Sequence, residues 1–188
     1  MKNYAIEVFF NQQFDQYVRD LWRQCDSNHL SSFMSRVRGT EPHIALSVYE
    51  NVDSAQLETK FNELAAIHLY EIELIFDAVA VFPTSNATFL QPNVKREFNE
   101  LMTTIHEHFK EFSEQCNMFY RPDRWFPHVT ISKNNNLADL KKTASYIIEQ
   151  FAPQIGRVEK LVLVEIEYLN GEIYCRNLKT KELNPPSI

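Results

Sequence analysis

The chain has 188 residues, enough for one domain or for two small lobes sharing a core, and 44% apolar with 23% charged residues is ordinary for a globular protein. Nineteen Lys and Arg against 25 Asp and Glu leave a net charge of −6, which argues against a protein that grips long duplex nucleic acid through many phosphate contacts. Only three glycines occur, none in a GxGxxG or GxxxxGK[ST] setting, so neither a Rossmann nor a Walker nucleotide site is expected.

Taken in chain order, residues 4–10 (YAIEVFF) read as a strand, and Phe14, Val18, Leu21, Trp22 and Cys25 form one face of a helix. Residues 26–40 read as loop with a short strand around Phe33–Val37. A strand over 43–49 is followed by a helix from an Asp53 cap, with Gln56 completing a capping box and Leu57, Phe61, Leu64 and Ala65 buried. Residues 71–82 and 86–90 read as two strands, and Val94 to Phe112 carry a helical stripe within 93–115. After the loop 120–126 (YRPDRWF) comes another strand, then a helix from Asn136 burying Leu140, Ala144, Ile148 and Phe151. Strands at 158–168 and 172–179 meet at Asn170-Gly171, a type I′ hairpin signal, and 184–188 reads as a flexible tail. Cys25, Cys116 and Cys175 are far apart and lack CxxC spacing, which suits reduced thiols in a cytoplasmic protein. No signal-peptide pattern and no run of about 18 apolar residues is present, so no membrane association is expected.

Within this order one stretch occurs twice. Pro42-His43-Ile44-Ala45-Leu46-Ser47 returns as Pro127-His128-Val129-Thr130-Ile131-Ser132. Strand alternation puts His43, Ala45 and Ser47 on one face, and His128, Thr130 and Ser132 on the corresponding face of the second copy. Each half therefore offers a histidine-bearing strand followed by a helix. The expected fold is α+β within residues 1–183: a bilobal, duplicated unit with two antiparallel sheets facing a central cleft and helices outside.

Two imidazoles facing each other across a cleft have an obvious chemistry. Their ordinary pKa lies near neutrality, so one can remove a proton while the other supplies one. A hydroxyl two residues after each histidine, roughly 7 Å along the strand, can donate to a phosphate oxygen. Thr130 provides it in the second copy; Ala45 stands there in the first, with Ser47 and Ser132 as further hydroxyls. Tyr120, Arg124, Trp125 and Phe126 are candidates for stacking on a base or pairing with a phosphate. Arg36, Arg38 and Lys133 are candidate cations at the cleft. His106 and His108 lack the spacing of a helical zinc pair, and the scheme needs neither metal nor cofactor.

The paired His-x-[Thr/Ser]-x motifs, the order of elements and the FPTSNATFLQP stretch resemble the two-histidine phosphoesterase superfamily, in its 2′-5′ RNA ligase-like and cyclic phosphodiesterase branch. That resemblance implies a bilobal fold with the motifs lining a cleft. It also implies a phosphoesterase acting on a small cyclic nucleotide or the 2′/3′ end of an RNA, with catalytic His43 and His128 and phosphate-binding Thr130. Ala45 departs from the pattern, and the alternative it raises is a module that binds such a ligand without turning it over.

Overall fold

The structure is a computed structural model describing residues 2–186. Its strands are β1 (Lys2–Phe10), β2 (His43–Glu50), β3 (Ile72–Phe82), β4 (Ala87–Asn93), β5 (Val129–Lys133), β6 (Gln154–Leu169) and β7 (Glu172–Glu182). The helices are α1 (Gln12–Ser27), α2 (Phe33–Arg36), α3 (Ser54–Glu63), α4 (Arg96–His108) and α5 (Leu137–Gln150), with short 3₁₀ turns at Leu64–Ala66, Lys110–Gln115 and Met118–Tyr120. The mixed α+β class with antiparallel pairing is as expected. None of the described helices is long and apolar enough to cross a membrane.

Among the described residues the two separate sheets are not observed. All seven strands join in one antiparallel sheet, β2-β1-β6-β3-β4-β5, with β7 also on β6. The reason is the length of β6, whose 16 residues serve both halves. Residues 158–167 pair with β1, while along the other edge 154–158 pair with β3 and 160–169 with β7. Strands twist and sheets coil, so a sheet this wide can bring its ends around. The terminal strands β2 and β5, which carry the repeated motif, lie in contact.

Apolar patterning decides which face meets the helices. Tyr4, Ile6, Val8 and Phe10 of β1 point to the main core, with Phe14, Val18, Leu21 and Trp22 of α1 against them. The opposite face of β1 carries Phe9, packed with Val162 and Val164. Phe14 stacks on Phe76 at 4.3 Å between centroids, and Phe10 meets Phe14 edge-on at 4.7 Å. Gly156 of β6 makes this possible, because a Cβ there would lie 2.9 Å from Phe76 and 3.0 Å from Phe14.

Local expectations fared unevenly. Asp53 caps α3 by accepting from the Ala55 amide at 3.1 Å, and Asn136 caps α5 by accepting from Asp139 at 2.9 Å. Asn170 and Gly171 both have positive φ, 52° and 81°, as a type I′ turn demands. Phe33–Arg36 is one helical turn, not a strand. The buried stripe of α5 is Leu140, Thr143 and Ile147, and Ile148 is 60% exposed. Thr143 faces inward because its hydroxyl accepts from Asn134 at 3.0 Å and donates to the Leu30 carbonyl at 3.3 Å, a buried polar link that an apolar-periodicity reading misses. Asn184, expected in a loose tail, pairs with Leu69 and Glu71 through backbone hydrogen bonds. Ser187 and Ile188, the end of that tail, lie outside the described residues.

Replacing Gly156 with Val should cost about 1–3 kcal/mol through overpacking against the Phe14–Phe76 pair. Urea unfolding checks this; an unchanged midpoint would show that the two rings can move aside.

Candidate active site

The two copies of the motif share more than sequence. His43 opens β2 and His128 stands just before β5. In each, the ring Nδ1 lies 2.7 Å from the carbonyl oxygen two residues back, Glu41 for His43 and Phe126 for His128. A carbonyl only accepts, so Nδ1 carries the proton and donates, and Nε2 is the nitrogen left for other work. The intervening Pro42 and Pro127 account for the geometry. Proline fixes its own φ and holds the residue before it extended, which presents that carbonyl to the ring.

A second shared device corrects the sequence reading. In β2, Ala45 pairs with Glu7 but Ser47 pairs with Ile6, so Leu46 is an extra residue in the ladder. In β5, Thr130 pairs with Phe89 but Ser132 pairs with Thr88, which makes Ile131 the extra residue. A β-bulge shifts the face on which later residues emerge. Ser47 and Ser132 therefore leave the face of Ala45 and Thr130, and both are fully buried. Neither can serve a ligand as a phosphate-binding hydroxyl. Thr130, half-buried, stays on the histidine face.

Side chains from elsewhere hold these edge strands. The Trp125 indole N–H donates to the Ala45 carbonyl, and the Trp22 indole N–H donates to the Thr130 carbonyl, both at 2.9 Å. His106 Nε2–H donates to the Leu46 carbonyl at 3.1 Å, serving the bulged residue of β2. Burial holds the His106 pKa below the ordinary imidazole range, which fits a neutral donor. His108 Nε2–H goes to the Lys60 carbonyl at 2.8 Å, so both histidines of that helix serve backbone acceptors. Capping the outer edges of β2 and β5 also closes two sheet edges that would otherwise invite pairing.

The surroundings of the two imidazoles differ. His128 sits against Phe82 and Phe89, each ring centroid 5.1 Å away, and Phe126 packs on both phenyl rings. Burial lowers the His128 pKa, and a charge on His43 would lower it further. His43, its side chain 24% exposed, has the Glu7 carboxyl 3.6 Å from its Nε2. Glu7 is only 5% exposed, and burial first, then the charge of Glu41, raises its pKa, while His43 opposes the rise. Tyr120 also feels Glu7, and burial pushes its phenol up to about 12.

The other candidates divide. Tyr120 and Phe126 lie with the histidines, through Glu7 and through the aromatic cluster. Trp125 is committed to the Ala45 carbonyl and to Phe98, 5.7 Å away, and Arg124 sits over Phe119 at 5.6 Å, so neither is poised to stack on a base. Arg36 and Lys133 line a cavity of about 820 Å³ with His29, Phe33, Asp26 and Glu172, whereas Arg38 is engaged with Glu172 and Tyr174. His68 lines a separate hollow beside α4. Sequence reasoning missed Glu7, although a lone carboxylate inside YAIEVFF was a signal; Phe82 and Phe89 gave none beyond apolarity.

The model of the 2′-5′ RNA ligase superfamily matches residues 12–168. The chain belongs to that superfamily. No curated protein matches it. Among solved structures it is similar to the crystal structure of a phosphoesterase, at 15% identity and TM-score 0.67 over 97% of this chain and 98% of the other. It is also similar to Escherichia coli LigT complexed with 3′-AMP, at 12% identity and TM-score 0.66 over 97% and 98%. A third is TT0787 of Thermus thermophilus, at 13% identity and TM-score 0.68 over 98% and 100%. At these identities the likeness shows a shared fold over nearly the whole chain. Membership places the protein among phosphoesterase- and 2′-5′ RNA ligase-like chains at the level of the superfamily.

Burial of Glu7 has a consequence for stability. An acid whose folded-state pKa is raised contributes stability below its unfolded value and loses it as pH rises through the folded value. Glu7→Gln should therefore melt close to the parent at pH 4 and at a higher temperature than the parent at pH 8. A melting difference independent of pH would contradict the buried carboxyl.

Proposed function

We propose that this protein is a metal-independent phosphoesterase in which His128 is the general base and His43 the general acid, acting on a small cyclic nucleotide or on a 2′,3′-cyclic phosphate or 2′-5′ linkage at an RNA end. The observation that carries the reading is the pair of imidazoles, each tied at Nδ1 to a carbonyl two residues back, each with Nε2 left for other work, on motif strands that lie in contact. A lowered pKa keeps His128 neutral at pH 7 and able to take a proton. For hydrolysis of a cyclic phosphate, water adds to phosphorus as His128 takes its proton. The bond from phosphorus to one ribose oxygen breaks, and that oxygen takes the proton from the His43 imidazolium. The product is a ribose monophosphate, and exchange with solvent returns both rings to their starting states. Thr130 donates to a non-bridging oxygen, and Phe126 with Tyr120 flanks the bound nucleoside.

A small nucleotide as ligand fits the LigT complexes with 3′-AMP, ATP and NADP+. Unpaired Cys25, Cys116 and Cys175 suit a reducing compartment such as the cytoplasm. One observation favours a second reading: Ala45 offers no hydroxyl, which would suit a module that binds the same ligand without turnover. Assay of a panel of 2′,3′-cyclic nucleotides and 2′-5′ dinucleotides separates the two. His43→Ala and His128→Ala should each lower kcat/KM by on the order of 10²–10⁴. A parent that binds members of the panel and converts none would leave the binding module.

A further inference from the structure

The cross-strand partners of the two motif positions invert their chemistry. In the second half, Thr130 pairs with Phe89, so the hydroxyl is on the motif strand and the apolar group on its neighbour. In the first half, Ala45 pairs with Glu7, so the apolar group is on the motif strand and the polar one on its neighbour. Residues directly opposite in an antiparallel pair share a face, with their Cβ atoms about 4.5–5.5 Å apart. Glu7 thus points to the same side as His43 and Ala45, and the methyl of Ala45 leaves open the space that a larger side chain would take. The Glu7 oxygen stands 3.6 Å from His43 Nε2, too far for a hydrogen bond and next to the ring nitrogen that the Glu41 carbonyl leaves for other work.

We propose that Glu7, as the neutral carboxylic acid, is a catalytic residue that donates a hydrogen bond to a non-bridging phosphate oxygen in the first half-site, the task Thr130 performs in the second. The assignment rests on the two-histidine phosphoesterase reading above. A carboxylate could not take this part, since it only accepts and would repel the phosphate. The environment favours the acid form. Glu7 is buried beneath the site, and the titratable groups that act on it or feel it are His43 on β2, Glu41 before it, Tyr120 on its 3₁₀ turn and Cys175 on β7. Of these only His43 brings positive charge, and Glu41 works against ionisation. The carboxylic proton is not transferred; the acid donates while water, phosphorus and the ribose oxygen exchange bonds as described.

The test compares parent, Glu7→Gln, Glu7→Ala, Ala45→Thr and the Glu7→Ala/Ala45→Thr double variant, with near-ultraviolet circular dichroism to establish that each is folded. Two readouts are followed from pH 5 to pH 9: kcat/KM on 2′,3′-cyclic AMP, and calorimetric binding of sulfate, an anion that does not titrate in this range. Glu7→Gln keeps a neutral donor, so it should retain more of both readouts than Glu7→Ala across the range, and its sulfate affinity should fall less steeply than the parent's as pH rises, the remaining fall being that of the histidines. Glu7→Ala should lose about 10- to 100-fold in both readouts, the size of a hydrogen bond to a charged group. The added hydroxyl of the double variant should recover most of that loss. Glu7→Ala with undiminished sulfate affinity and rate would overturn the assignment. So would Glu7→Gln as impaired as Glu7→Ala, because the carboxylate charge would then be what matters. A parent without turnover whose sulfate binding still follows the expected pattern would sink the phosphoesterase reading and leave Glu7 as the anion's donor.

Discussion

At 16 residues, β6 is long enough to be the inner strand of two halves at once, with β1 along one edge and β3 then β7 along the other. Because it is shared, the two halves cannot drift as separate lobes joined by a linker would. The register of β1 on one side and of β3 on the other is set against the same backbone. The motif strands β2 and β5 close the two ends of that sheet and touch. The distance between the histidines is therefore a property of the whole sheet's curl.

Within that frame each histidine is held by local means. Proline before the ring, an extended residue before the proline, and a carbonyl two residues back select one tautomer and one orientation, at the cost of only one hydrogen bond per half. The bulges at Leu46 and Ile131 then turn the following serines into the core. Two tryptophans and His106 bind the backbone carbonyls that this leaves at the outer edges. A preorganised pair of rings of this kind costs little to arrange when a ligand arrives, which is how binding geometry becomes rate.

Similar holders surround dissimilar environments. Around His128 the neighbours are Phe82, Phe89 and Phe126, and an apolar, desolvated setting keeps the ring neutral. Around His43 the neighbour is the Glu7 carboxyl. Two groups of one chemical type thus have different neighbours, and a difference of environment is what lets identical side chains divide acid and base roles.

The sequence by itself determined the elements and the pairing of motifs. Strand and helix periodicity, the Asp53 and Asn136 caps, the Asn170-Gly171 turn and the repeated Pro-His stretch are local signals, and each is written within a few neighbouring residues. What failed in that reading was long-range. Whether β6 served one sheet or two depended on its partners across the fold. The face of Ser47 depended on a bulge that only the register against Ile6 and Glu7 reveals, and the inward turn of Thr143 on Asn134 and Leu30. Glu7 lies far from His43 in sequence and reaches it only across a strand pair. Which residues can carry chemistry was legible from residue type, but which of them share a site was decided by tertiary structure, because pairing register and burial set a side chain's face and charge state.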